Sequence, residues 1–169
     1  QILLTHDDLS HRDRYLNIRN TMSTLFEWGI LPIINENDTV SVKELRFGDN
    51  DTLGAMVTNL IDADILICLT DVDGLYTGNP CNDSSAYLVN TIVQVDDAVE
   101  KMAGNICGSN LGTGGMQTKI LAAKMVSARG GCSFIGPGRE PGILKKLFAG
   151  EAVGTFFLPN EEKLQSRKH

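Results

Sequence analysis

Asp64-Ile65-Leu66-Ile67-Cys68-Leu69-Thr70 is the clearest buried strand in the chain, a continuous apolar run with branched side chains that pack well on a pleated surface. It belongs to an alternating series. Ile2 to Thr5 reads as the end of a strand, and Tyr15, Ile18, Met22, Leu25 and Phe26 then line one face of an amphipathic helix that Gly29 terminates. Ile30 to Ile34 has the length and branching of another buried strand, and the segment from Asp51 to Val57 opens a helix with Asn50 or Asp51 as its cap. Beyond Thr70, a short helix is expected over Val95 to Ala103 and another from Met116, with Met116, Ile120 and Ala123 on one face, ending at Gly130-Gly131. Strand Cys132 to Ile135, a turn at Gly136-Pro137-Gly138, a helix opened by Pro141 with Ile143, Leu144, Leu147 and Phe148 apolar, and a last strand Val153 to Phe157 complete the series. Strands alternating with helices imply an α/β fold around a parallel sheet.

A chain of 169 residues has room for one domain with a real core. Its formal net charge of -6, with no basic stripe interleaved with aromatics, argues against a nucleic-acid binder, whose affinity rests on Lys and Arg neutralising phosphates. A small-molecule ligand fits better. No apolar run approaches the roughly 18 to 20 residues that span a bilayer, and no signal peptide opens the chain, so a soluble, cytoplasmic protein is expected. Cys68, Cys81, Cys107 and Cys132 are too scattered for a zinc site or a disulfide framework; Cys68 and Cys132 are expected to be buried thiols. The chain enters at Gln1 directly into a strand and ends in a polar tail from Asn160 to His169, which suggests a piece of a longer polypeptide with a solvated linker at its end.

The polar residues at strand ends carry the chemistry. Asn35-Glu36-Asn37-Asp38 follows one strand, and Gly48-Asp49-Asn50-Asp51 precedes a helix, with Lys43 and Arg46 on the connection between them. Asn, Asp and Gly also make ordinary turns and caps. Two such clusters bracketing a strand-to-helix segment nevertheless point to the crevice where open α/β sheets bind ligands. Thr70-Asp71-Val72-Asp73-Gly74-Leu75-Tyr76 puts a hydroxyl and carboxylates at the end of the central strand, where a nucleotide or sugar would be held, although Asp73-Gly74 alone is also a plain turn. Gly104 to Gly115 is a glycine-rich loop running into Gly112-Thr113-Gly114-Gly115-Met116-Gln117-Thr118-Lys119 and a helix. Bare glycines let a ligand approach the backbone, free N–H groups of the first turn attract anions, and Lys119 lies one turn inside to meet a phosphate. This is a phosphate cradle by chemistry, with a mobile surface loop as the rival reading. It is neither a P-loop nor a dinucleotide fingerprint, since the spacing of both is absent.

Taken together, these four motifs resemble the glutamate 5-kinases of the amino acid kinase family, and the resemblance runs from the opening Leu3-Leu4-Thr5 to the closing Val153-Gly154-Thr155-Phe156-Phe157. It implies a three-layer αβα sandwich with a mainly parallel central sheet, its N-terminal part missing. Residues 1–158 would be the carboxyl-proximal part of the kinase domain and 159–169 a tail or linker. It further implies transfer of a phosphoryl group from ATP, with Mg2+, to the side-chain carboxylate of L-glutamate, the first step of proline biosynthesis, in a homo-oligomer with proline as a candidate feedback inhibitor.

Residue by residue, the resemblance implies that Asn35, Asp38 and Asn50 bind glutamate and that Asp49 and Asp51 orient catalytic lysines. Thr70 and Asp71 would contact the nucleotide. Thr113, Gly114, Gly115, Met116, Gln117, Thr118 and Lys119 would form the ATP phosphate loop, with Lys119 stabilising the transferring group. No residue is expected to ligate a metal directly. The family's early phosphate-binding lysine and a glutamate-contacting serine find no counterpart here, and Gly78-Asn79-Pro80 lacks the acidic residue that relatives often place before the proline. Two rival readings are a related transferase acting on a nucleoside monophosphate or carbamate, and a non-catalytic module that binds an amino acid or nucleotide.

Overall fold

The computed structural model describes residues 1–41, 49–104 and 115–160. Thr5 caps the first helix at both ends of a capping box: its hydroxyl accepts from the Asp8 backbone while Asp8 accepts from the Thr5 backbone and side chain. The polar stretch after the first strand (β1, Ile2–Leu4) therefore becomes a one-turn helix (α1, His6–Ser10), followed by the long helix α2 (Arg12–Glu27). Leu4, Leu9 and Met22 are buried, with Tyr15 and Ile18 packed beside them.

The second strand, β2, is Ile34–Glu36, shifted downstream of the apolar run expected to form it. It pairs parallel with β1, Ile2 opposite Ile34 and Leu4 opposite Glu36. The run Ile30 to Ile33 is instead largely exposed, with Leu31 at 83% and Ile33 at 70%. Pro32 removes a ladder donor from that segment, and pairing with the three-residue β1 fixes the register further along. Lys43, Arg46 and Gly48 lie outside the described residues.

Helix α3 (Asn50–Leu60) is the hinge of the packing. One side, Leu53, Val57 and Leu60, covers the core shared with β1 and α2. The other carries Ala55 against Ala122 and Val126 of α5 (Met116–Ser127), small side chains that let two helices approach closely. Between them runs β3 (Ile65–Thr70), the strand read most clearly from the sequence.

β3 pairs parallel with β5 (Cys132–Pro137), Cys68 opposite Ile135. β5 then pairs antiparallel with β6 (Thr155–Phe157), which pairs parallel with β4 (Thr91–Ile92), giving the order β3-β5-β6-β4. Pairing is mainly parallel, as expected, with one antiparallel step. α4 (Asp97–Gly104) and α5 cover this sheet through Val99, Ala103, Ile120 and Ala123, packed on Cys68, Ile135 and Phe157. The last helix, α6 (Ile143–Phe148), begins after Pro141, because Gly142 at φ +77° breaks the helical path before it. Cys132 is half-buried rather than buried, as befits the first residue of β5. Cys107 and residues 161–169 fall outside the described set.

One long-range contact fixes the loop after β3. Gly74 has φ +149°, and a Cβ there would lie 2.7 Å from Thr155 Oγ1. The same hydroxyl accepts the Leu75 N–H at 2.8 Å, so the chain just after Asp73-Gly74 is locked onto β6, with Leu75 and Thr155 fully buried. The turn reading of this dipeptide is thus realised, and it aims the strand end rather than merely reversing the chain.

Candidate active site

Two helix N-termini and the carboxyl half of β3 come together at one place. Asp49, one residue ahead of the expected Asn50 or Asp51, is the N-cap of α3, because its carboxylate reaches the Thr52 N–H at 2.7 Å and the Thr52 hydroxyl at 3.1 Å while Asn50 and Asp51 already lie in the first turn. Capping holds the carboxylate where the unpaired donors of the first turn and the helix dipole favour negative charge. The cap also aims the next turn: Asn50 stays exposed, while Asp51 points across to α5.

Asp51 Oδ2 receives two donors from that helix, Lys119 Nζ at 2.9 Å and Thr118 Oγ1 at 2.9 Å. The ion pair is largely withdrawn from water, with side-chain exposures of 10% for Lys119 and 16% for Asp51. Charges held this way are costly to separate, because removing one partner leaves the other buried and uncompensated. The pair therefore holds the Lys119 cation in place at the mouth of α5, one turn inside a helix whose N-cap, Gly115, has extended backbone and no side chain to occupy the space ahead.

Beneath Asp51 lies Cys68, on β3. Burial, followed by the negative charge of Asp51, pushes its thiol up to about 12. At neutral pH it is a protonated thiol rather than a nucleophile. The sequence had marked Cys68 only as a core thiol; its place under an aspartate on another element carried no local signal.

At the end of β3 the Thr70 hydroxyl donates to Asp71 at 3.1 Å, and Tyr76 donates to Asp73 at 3.1 Å. Burial, then the hydrogen bond to Asp73, raises the Tyr76 phenol. Thr70 and Asp71 thus sit at the strand end expected of nucleotide contacts, with Asp71 exposed.

Asn35 and Asp38 lie at the carboxyl end of β2, in the smaller sheet. Asn37 carries a turn there: its N–H reaches Leu4 O at 2.8 Å and its carbonyl accepts from Val40 and Ser41. Glu36 accepts the Ser41 hydroxyl. This cluster is both a turn and a row of polar groups facing solvent at Asn35 and Asp38. Thr113 and Gly114 are outside the described residues. Met116 is buried against the core and Gln117 is exposed, lining with Asp97, Glu100, Lys101, Ile120 and Leu121 a groove of about 700 Å³ between α4 and α5. Such a volume admits a small organic ligand. Of the expected residues, then, Asp51, Thr118 and Lys119 touch one another, while Asp49 supports the helix that presents Asp51. Among the described residues no three His, Cys, Asp or Glu side chains cluster as a metal site.

Comparison with known proteins agrees with the fold. The model of the amino acid kinase family matches residues 1–135. A glutamate 5-kinase of Desulfotalea psychrophila is 61% identical over 99% of this chain and 44% of its own length. Those of Syntrophotalea carbinolica and Geobacter sulfurreducens are 53% and 51% identical over the whole chain and 45% of their own length. The chain thus spans somewhat less than half the length of the curated relatives it matches. Among solved structures, a UMP kinase from Bacillus anthracis superposes with a TM-score of 0.60 at 19% identity, covering 84% of this chain and 51% of that one. A carbamate kinase from Giardia lamblia bound to AMP-PNP gives 0.57 at 19% identity, over 84% and 44%.

Proposed function

Because the chain belongs to the amino acid kinase family, with its α/β, three-layer αβα fold and mainly parallel sheet, we propose that it supplies the phosphate-binding and part of the acceptor-binding machinery for ATP-dependent phosphorylation of L-glutamate to L-glutamyl 5-phosphate. The observation that carries the proposal is the buried Asp51–Lys119 pair at the N-terminus of α5. The high identity to glutamate 5-kinases supports glutamate over other acceptors. The same likeness supports a cytoplasmic enzyme at the first step of proline biosynthesis. No helix among the described residues is long and apolar enough to cross a membrane. The pairing of β6 into the sheet beyond the end of the family match supports reading residues 1–158 as one kinase-domain segment.

In this reading an oxygen of the glutamate side-chain carboxylate attacks the γ-phosphorus, the bond to the β–γ bridging oxygen breaks, and ADP leaves. The nucleophile is already ionised, with a reference pKa of about 4.3, so no general base is needed. What the reaction needs is cation and dipole against the charge gathering on the phosphoryl oxygens. Lys119 and the first N–H groups of α5, from Gly115 to Gln117, supply these. Thr70 and Asp71 hold the nucleotide at the end of β3, and Asn35, Asp38 and Asn50 hold glutamate between β2 and α3. Mg2+ would be bound together with ATP and would offset the charge of its phosphates.

The test is glutamate-dependent ADP release, with the acyl phosphate trapped by hydroxylamine, in the polypeptide that the gene encodes. Hydroxamate formation with glutamate is expected. ADP release with a nucleoside monophosphate or carbamate and none with glutamate would replace the acceptor. Binding of ATP and glutamate without turnover would make the protein a regulatory module.

A further inference from the structure

The Thr118 hydroxyl stands between two acceptors, and this raises a question about its role. Oγ1 lies 2.7 Å from the carbonyl of Gly115 and 2.9 Å from Asp51 Oδ2. A hydroxyl has one proton, so it serves one acceptor fully at a time or both weakly. The Gly115 carbonyl already accepts the Thr118 backbone N–H at 3.2 Å. Asp51 Oδ2 is the same atom that holds Lys119 Nζ.

The consequence lies in what Lys119 does when phosphate arrives. Its ammonium is drawn toward the phosphoryl oxygens, and the bond to Asp51 lengthens or breaks. A carboxylate with little exposure is then left short of a donor, which opposes the movement. A hydroxyl on the same oxygen offsets that cost, and Thr118 precedes Lys119 directly on α5. Its other acceptor is the last backbone carbonyl before the helix. Its proton therefore connects the end of the glycine-rich segment to the partner of the cation.

Resting on the phosphotransfer reading above, we infer that Thr118 is a positioning residue that works through Asp51: its hydroxyl holds Asp51 Oδ2 so that Lys119 can be shared with the transferring phosphoryl group. It is not a nucleotide contact by its side chain. A purely local role, closing the first turn of α5 on Gly115, would affect folding but not depend on Asp51.

Thr118→Val removes the hydroxyl and keeps the shape; Thr118→Ser keeps the hydroxyl. In the polypeptide that the gene encodes, Thr118→Val should lower kcat by about tenfold to a hundredfold, the worth of one hydrogen bond to a charged group. The affinity for a non-hydrolysable ATP analogue, read by calorimetry, should change by less than about threefold, and Thr118→Ser should restore kcat. In an Asp51→Asn background, Thr118→Val should add little further loss, because the two residues act as one unit. Unchanged kcat, loss of analogue affinity matching the loss of kcat, failure of Ser to rescue, or full additivity with Asp51→Asn would each overturn the inference. If the Val variant does not fold, Thr118→Ala against Thr118→Ser decides on the same criteria. A wild-type protein that makes no hydroxamate overturns the glutamate reading instead. The contact with Asp51 then stands or falls by the stability of the Val and Asn variants, singly and combined, with additivity overturning it.

Discussion

Replacing Asp51, Lys119 or both measures directly how the buried pair is held. Asp51→Ala takes from an ammonium at 10% side-chain exposure the carboxylate 2.9 Å away, and Lys119→Ala leaves the carboxylate with the Thr118 hydroxyl. Breaking a buried pair from one side costs about 3–5 kcal/mol, and the residual exposure and remaining donor bring the expected loss to about 2–3 kcal/mol for Asp51→Ala and about 1–2 kcal/mol for Lys119→Ala. Losing both charges leaves neither buried without the other, so the double variant should be destabilised by at least about 1 kcal/mol less than the sum. Urea unfolding of the four proteins, with a common slope, supplies the numbers. The reaction separates from stability in the hydroxamate assay. Lys119→Ala should cut turnover by about a hundredfold or more while leaving glutamate affinity nearly intact, because its charge matters most in the transition state. Additive stabilities within about 0.5 kcal/mol would refute the buried-pair argument, and a loss of glutamate affinity equal to the loss of turnover would refute the role of Lys119.

Asp38→Ala should chiefly raise the Michaelis constant for glutamate, with turnover little changed; an unaltered constant would remove Asp38 from the acceptor site. Gly74→Ala should destabilise the chain by about 2–3 kcal/mol in urea, since the residue has φ +149° and its new methyl would meet Thr155 Oγ1. Thr155→Val should cost about 1–3 kcal/mol by leaving the buried Leu75 N–H without its acceptor; a neutral Val would show that the contact does not hold the turn. Cys68, with its thiol pushed up to about 12, should resist alkylation at pH 8 in the native state and react only on unfolding, in contrast to exposed Cys81. Asp8 is subject to burial, which raises it, yet bonds from Thr5 and charge from Arg14 outweigh that and hold its carboxyl below the usual range. Its contribution is therefore present above the unfolded value of about 4 and lost as pH falls through the folded one. Asp8→Asn should accordingly flatten that part of the acid unfolding curve, and an unchanged acid limb would count against it.

The local sequence determined the pieces. Period-3.6 apolar positions gave α2, the uninterrupted run gave β3, and the polar cluster up to Asp51 and the glycines ahead of Met116 gave the starts of α3 and α5 to within a residue or two, because each depends on residues within one or two turns. The candidate chemistry was legible for a related reason: amides, carboxylates, glycines and a lysine at strand and helix ends have few structural uses in a core. What the tertiary structure alone decided is which of them meet. β2 settled downstream of its apolar run because its register answers to β1, some thirty residues earlier. β4, two residues with a single buried side chain, is below any periodic signal and exists only because β6 pairs with it. Asp49 and Asp51 look alike in sequence. One became a cap and the other the partner of Lys119, 68 residues away, since α3 and α5 meet through small alanines that bring their first turns within hydrogen-bond reach. Local chemistry sets what a residue can do, but charge pairing acts over a few ångströms of space, and only packing brings distant parts of the chain that close.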